Sequence, residues 1–508
     1  MRTVSKPMIA SATRQSSKVN ASQSKTRKAN PKAKMGGQVP RLNLDDFPAK
    51  AENKPVPNTS RITTNKSNQA RPMTSRVPKS NVLKPTTRKT HVNPIVADGP
   101  ISPDIAIEKY SSSLNSYEIK EIINFQEIFF IGHSESKISP NSNEATNFGF
   151  DDKNHHYRAK IGDHIGFRYE IRAVLGKGAF GQVLRCFDYK TKTYVALKII
   201  VNTPIMQEQG KIEVSILKTL NEKEGHDESC VIKCLDCFVF RNHICVTSEI
   251  LGSDLYETSR KMRFRPFSIS QVKSIGHDIL KALEFIHDHN IIHCDMKPEN
   301  VLLCPGSSQN VKIIDFGSSC KVGEQKYEYI QSRFYRAPEV ILGLKYGPAM
   351  DIWSFGCIMA EMLLGKPLFA GYDEPEQIEM FLEAFGMPSN ELIDKSDRKS
   401  YFFDSTYRPI SRTKSKKKRR IGGSSLAALT KFNNKLLLDL LAKCFEWDQE
   451  KRITATEALN HPFFTSKSTK SSETTTVASS IVRSSNKNNN VAGKNGSNIK
   501  TIMNAKWR

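Results

Sequence analysis

The stretch Ile291-Ile292-His293-Cys294-Asp295-Met296-Lys297-Pro298-Glu299-Asn300, followed by Lys312-Ile313-Ile314-Asp315-Phe316-Gly317, decides the reading of this chain. Two carboxylates, a lysine and an amide at this spacing are what phosphoryl transfer requires. Asp295 suits an acceptor hydroxyl, while Asn300 and Asp315 suit Mg²⁺ held against ATP. Lys297 would balance charge on the transferred phosphoryl group. Apolar runs flank both loops: Leu283 to Ile286 with Ile291 and Ile292, and Val311 to Ile314, read as buried helix and strand ends. An aspartate or asparagine in a loop is by default a turn residue, so the weight falls on the ordered series around these two.

Upstream, Leu175 leads into Gly176-Lys177-Gly178-Ala179-Phe180-Gly181-Gln182-Val183. Alone this pattern marks a tight turn, or a loop whose amides approach phosphates without interference from Cβ. Lys198, in Val-Ala-Leu-Lys, stands where an ammonium can meet the α and β phosphates and pair with a helix carboxylate. Glu213 is the first choice for that pairing and Glu208 the second. Downstream, Ala337-Pro338-Glu339 completes the series.

The chain has 508 residues, 38% of them hydrophobic, and a net charge of +24. Residues 1–100 hold 20 Lys and Arg against 4 Asp and Glu, and residues 466–508 hold 8 against 1, so only +1 remains for 101–465. The basicity belongs to the ends. Residues 1–99 and 465–508 are rich in Ser, Thr, Asn and Lys without sustained periodicity, and both read as disordered basic tails. The 10 cysteines are scattered, which favours a reducing intracellular compartment. Cys234-Leu-Asp-Cys237 has zinc-like spacing without a second pair, so buried strand cysteines are the preferred reading. No apolar run is long enough to span a membrane, and no secretory leader is legible.

Between the tails, helix-like spacing from Tyr117 precedes an aromatic strand ending at Gly132. Strand patterns then run from Tyr169 to Ile200, and helical patterns dominate beyond Leu255. The expected fold class is α+β: a small β-rich lobe over 169–250 and a larger helical lobe over 251–464, preceded by an accessory region over 100–168.

Residues 169–464 resemble the eukaryotic protein kinase domain. Asp315-Phe-Gly-Ser318-Ser-Cys320, followed by Tyr327-Glu-Tyr329-Ile-Gln-Ser-Arg333-Phe-Tyr-Arg336-Ala-Pro-Glu339, is similar to the DYRK family. Phe148-Gly-Phe-Asp-Asp-Lys-Asn-His-His-Tyr157 and Asp163-His164-Ile-Gly-Phe-Arg-Tyr169 resemble that family's homology box. With Glu121 to Gly132 they resemble the accessory region of its class 2 subgroup. The same motifs disfavour the neighbouring homeodomain-interacting kinases. A scaffold holding anionic partners through basic tails is a reading from another class.

The resemblance implies a monomeric enzyme that phosphorylates Ser or Thr of protein substrates, with arginine upstream and proline just after the acceptor, and that autophosphorylates Tyr329. A phosphate there would add about −1.5 to −2 charge for Arg333 and Arg336 to clamp. These arginines would replace the one that precedes the catalytic aspartate in many kinases, where this chain has Cys294. Cys294 and Cys320 would then be either a reversible disulfide pair or two unlinked thiols. By the same match Ser248, Glu249, Ile250 and Leu251 form the adenine hinge, with Ser248 in place of a bulky phenylalanine. Val183, Ala196 and Leu302 would sandwich the base. Asp351 would cap the catalytic-loop backbone, and Glu339 would pair with Arg452. The cluster Lys414 to Arg420 reads as a nuclear-import or anion-binding site, or as a solvated loop, so a cytoplasmic or nuclear location is expected.

Overall fold

The computed structural model describes residues 96–141, 146–415 and 417–466. Most of both tails, and Lys416 of the basic cluster, lie outside the described residues. The first elements are β1 (Val96–Ile101), α1 (Pro103–Tyr110), α2 (Ser116–Glu121) and β2 (Ile128–Phe130). Ser102 and Asn115 start the two helices by accepting backbone N–H groups, and Asn115 does so in a reciprocal capping box with Glu118. Strand β1, which begins four residues before the expected start of the accessory region, pairs antiparallel with β2. Sequence pattern missed this strand because a six-residue edge containing Gly99 and Pro100 carries no period-two signal.

Next come β3 (His164–Ile165), β4 (Tyr169–Lys177), β5 (Gly181–Asp188), β6 (Thr193–Ile200), α3 (Pro204–Asn221), β7 (Cys234–Phe240) and β8 (His243–Ser248). The strands form one antiparallel sheet in the order β3-β4-β5-β6-β8-β7. Period-two burial separates its faces. Leu184, Cys186, Val195, Leu197 and Ile199 point into a core that Ile138, Phe150 and Tyr157 of the accessory region also enter. The accessory region therefore covers one face of the sheet. On the other face Val183, Ala196 and Lys198 are only partly buried.

The helical lobe follows with α4 (Leu255–Lys261), α5 (Ile269–Asp288), β9 (Ile291–Ile292), β10 (Val301–Leu303), β11 (Val311–Ile313), β12 (Cys320–Lys321), α6 (Pro338–Leu342), α7 (Ala349–Leu364) and α8 (Glu374–Phe385). Helix α5 buries Val272, Ile275, Ile279, Leu280, Leu283 and Ile286, a stripe at helical intervals. Helix α7 is buried almost throughout. Arg452 makes two hydrogen bonds to Glu339 at 2.6 and 2.9 Å, with both side chains fully buried, as expected for a structural tie. Part of the basic cluster is spent internally: Arg419 is nearly buried and pairs with Glu376 at 2.9 Å and Glu383 at 3.4 Å on α8. Lys414, Lys417, Lys418 and Arg420 are exposed.

One arginine ties the accessory region to the sheet. Arg241, at the β7–β8 turn, makes a forked contact to Glu121 at 3.0 and 2.9 Å and donates to the Tyr157 hydroxyl at 3.0 Å. It also lies 3.5 Å from Glu118, which contacts Lys137 at 2.6 Å and His164 at 3.0 Å. These groups are nearly or wholly buried, so each charge depends on its partner. Removing one side of such a pair costs about 3–5 kcal/mol, because the other is left desolvated and unpaired. Arg241→Ala is therefore expected to lower the urea midpoint and open residues 100–168 to protease. A midpoint and digestion pattern equal to wild type would contradict this anchoring role.

Candidate active site

Lys198 on β6 contacts Glu213 on α3 at 2.6 Å and Asp315 beyond β11 at 2.8 Å. Glu208, the second choice, is exposed and pairs with Lys211 instead. Helix α3 presents Glu213 inward because Val214, Ile216, Leu217 and Leu220 pack it against the core and Thr203 caps its start. Burial alone would raise the Asp315 carboxyl, but Lys198 outweighs it and holds the pKa at about 2. Burial likewise opposes the Lys198 ammonium, and the two carboxylates reverse the effect and raise its pKa. Glu213 shifts upward, since burial, reinforced by the neighbouring Asp315 charge, exceeds the pull of Lys198. A Cβ on Gly317 would lie 3.1 Å from the Asp315 carboxylate, a tight approach, and 3.4 Å from Lys198 Nζ and Glu213, an ordinary contact.

The catalytic loop is held from below. Asp351 on α7 accepts from the His293 and Cys294 amides at 2.8 and 3.0 Å, as the sequence leads one to expect, and also contacts His287 at 3.0 Å. Asp295 pairs with Lys297 and accepts from the Ser332 amide at 3.1 Å and its hydroxyl at 2.8 Å. Burial disfavours the Lys297 ammonium, yet Asp295 raises its pKa and keeps it charged. Asn300 donates to the Asp295 carbonyl at 2.8 Å, and its own carbonyl accepts from the Ile314 amide at 3.0 Å, which joins the two loops. Sequence reasoning missed Ser332. Its only signal is its place within Gln-Ser-Arg, well away from the aspartate it touches.

In the glycine-rich hairpin the three glycines differ. Nothing lies within 4 Å of a Cβ built on Gly176 or Gly178, whereas one on Gly181 would meet the Ile199 carbonyl at 2.3 Å. Gly181 is thus required by strand pairing, and the other two leave an open tip. Leu175, Ala179 and Phe180 are exposed there, Gln182 is buried with its amide on the Tyr157 carbonyl at 2.6 Å, and Lys177 pairs with Asp152 of the accessory region at 2.9 Å. Ser248 pairs with Ala196 across β6 and β8, and its hydroxyl donates to the Glu249 carbonyl at 3.5 Å. Glu249, in the expected hinge, accepts from Lys312 at 2.6 Å and from the Lys233 amide at 2.9 Å, tying this segment to both lobes. Ile250, Leu251 and Leu302 are partly buried.

The activation segment is woven into both lobes. The Tyr327 hydroxyl donates to Gln209 of α3 at 3.3 Å, and its carbonyl accepts from Tyr346 at 2.9 Å. Tyr329 is exposed, with the Arg336 guanidinium 4.0 Å from its ring centre. Arg336 itself is fully buried and donates to Ile330, Gln331 and Glu374. That differs from the expected clamp, in which Arg336 has donors to give a phosphate: here its planar fork is engaged and it meets Tyr329 through the ring face. Arg333 donates one nitrogen to the Tyr372 carbonyl at 2.6 Å. The Cys294 and Cys320 sulfurs lie 3.7 Å apart. The Cys320 thiol and burial raise the Cys294 pKa, and the same contact lowers that of Cys320.

A protein kinase domain family model matches residues 169–464. The chain is 45% identical over 360 residues to DYRK-family kinase pom1 of Schizosaccharomyces pombe, a match covering 70% of this chain and 33% of that protein. It is 44% identical over 369 residues to dual specificity tyrosine-phosphorylation-regulated kinase 2 of Drosophila melanogaster, covering 72% and 51%. It is 40% identical over 393 residues to dual specificity tyrosine-phosphorylation-regulated kinase 3 of Rattus norvegicus, covering 74% and 67%. The matched region thus spans between about a third and two thirds of these relatives. With Lys198, Glu213 and Asp315 joined and Asp295 braced beside them, the chain belongs to the protein kinases, within the DYRK family.

Proposed function

We propose that the chain transfers the γ-phosphate of ATP to Ser or Thr of protein substrates, after phosphorylating its own Tyr329. The observation that carries this reading is Lys198 in simultaneous contact with Glu213 and Asp315, which joins sheet, helix and metal-site loop in one arrangement. Oxygen donors suit Mg²⁺. Asp315 fits because its carboxyl is held ionised, and Asn300 fits because its amide nitrogen is taken by the Asp295 carbonyl, leaving its oxygen for a cation. A bound metal would supply charge neutralisation at the phosphates.

The chain's own residues divide the remaining work. Lys198 orients the α and β phosphates. Asp295 accepts or orients the acceptor hydroxyl proton, and its carboxylate is held in orientation by Ser332 on one oxygen and Lys297 on the other. Lys297 stabilises charge on the transferred group. For Tyr329, a phosphate adds charge that Arg333, with donors beyond the one given to Tyr372, is the candidate to meet, while Arg336 supports the ring. Phosphopeptide mapping tests both parts of this reading. Wild-type protein should carry phosphate on Tyr329 and Asp315→Asn should carry none; phosphate-free wild type that still phosphorylates peptides would contradict the maturation step.

Selection of an upstream arginine has support in the site. Glu361 on α7 accepts from the Tyr335 hydroxyl at 2.7 Å, and burial, opposed by that hydroxyl and reinforced by Glu299, pushes its pKa up to about 7. Glu299, in the catalytic loop, is exposed. Among the described ion pairs neither has a cationic partner, so a substrate guanidinium would complete the pair. Proline just after the acceptor follows from the family resemblance. Glu361 is neutral below about pH 7 and ionised above it. The KM for an arginine-bearing peptide should therefore fall as pH rises from 6 to 8, while that for the same peptide with alanine stays level. Parallel profiles for the two peptides would contradict this assignment.

A further inference from the structure

Strand β7 carries one residue more than β8 accommodates. Cys234 pairs with Ser248 and Asp236 with the adjacent Thr247, so Leu235 is the extra residue of a bulge. Residues three apart on a regular strand face opposite sides. The bulge resets that phase: Cys234 and Cys237 both turn into the apolar core, and Leu235 points out half-exposed. The two sulfurs come to 3.3 Å, and both cysteines are free thiols. The Cys237 thiol lowers the pKa of Cys234 against the effect of burial, while the same contact and burial raise that of Cys237. Among the described residues no carboxylate, His or further Cys joins them in a three-ligand cluster, so the spacing is not that of a zinc site.

We propose that Cys234 and Cys237 are a redox modification site, at which a hydroperoxide converts the thiol pair to a disulfide inside β7. The Cys234 sulfur attacks a peroxide oxygen, forming an S–O bond as the O–O bond breaks and water leaves, which gives a sulfenic acid. The Cys237 sulfur then attacks the oxidised sulfur, forming the S–S bond and expelling hydroxide, which takes up the Cys237 proton as water. Two thiols lose two electrons, and one hydrogen peroxide becomes two waters. Strand β7 lies at the sheet edge, and the peroxide is small and uncharged.

The pair sits where a local change reaches the nucleotide. Asn221, the last residue of α3, brackets Cys234 by accepting from its amide at 3.2 Å and donating to its carbonyl. On the other side Ser248 pairs with Cys234, and the Glu249 amide donates to Lys233 at 3.3 Å. A linkage that redraws the bulge therefore pulls on both the hinge and the helix carrying Glu213.

Trypsin releases Cys234–Arg241, cut after Lys233 and Arg241, with both thiols and no third cysteine. After hydrogen peroxide treatment of the full-length protein, blocking of free thiols and digestion, this peptide should weigh two hydrogens less than the unblocked dithiol, and dithiothreitol should restore it. Recovery of the peptide with both thiols blocked, or as sulfinic or sulfonic acid without the linkage, would overturn the site. This readout is independent of activity, so it stands or falls apart from the kinase reading. Alongside it, the KM for ATP should rise on oxidation of wild type, reverse on reduction, and respond less in Cys237→Ser. An equal response in both proteins would overturn the coupling to the hinge, and where Cys237→Ser does not fold, the wild-type mapping still decides the site.

Discussion

Lys198 can satisfy its charge only while three separate parts of the chain are together. Its ammonium is largely out of water, and burial, which lowers its pKa, is outweighed only because two carboxylates stand beside it. One comes from α3 and the other from the loop after β11. Helix position, loop position and lobe closure are thus set by one desolvated cation. The same contact holds Asp315 ionised, as the proposed metal-binding role requires. The Tyr327–Gln209 hydrogen bond gives the activation segment a handle on the same helix.

The accessory region does for the sheet what α7 does for the catalytic loop. Tyr157, Phe150 and Ile138 fill the face of β4, β5 and β6 away from Lys198, and Arg241, Glu121 and Glu118 fasten them with buried charge. The Lys177–Asp152 pair extends this contact to the glycine-rich hairpin. On the far side, Asp351 holds two loop amides, and Asp295 is braced by Ser332 and Lys297. The groups proposed to react therefore rest on packed and hydrogen-bonded neighbours on both sides, which is the condition for precise positioning.

Local pattern was enough where function is written in short spacing. The Lys198–Glu213 pair, the Asp351 cap and the Glu339–Arg452 tie each follow from motifs a few residues long, and each has the expected partner. Partners set by the fold were not legible. Arg336 is engaged by Glu374, which lies 38 residues further along the chain, and Arg419 by Glu376 and Glu383. Ser332 reaches Asp295 only because the activation segment folds back. Strand β1 lacks alternation, and the bulge at Leu235 is invisible until β7 is registered against β8. Cys234 and Cys237 read correctly as buried strand cysteines, but their contact needed that register.

The central claim is that catalytic competence depends on the buried contact between Lys198 and Glu213. Steady-state peptide phosphorylation by Glu213→Gln, with folding checked by circular dichroism, tests it most directly. The substitution keeps shape and removes charge, so kcat/KM should fall on the order of a hundredfold, as expected when a group far from the transferred phosphoryl loses its placement. A folded Glu213→Gln protein with wild-type kcat/KM would contradict it.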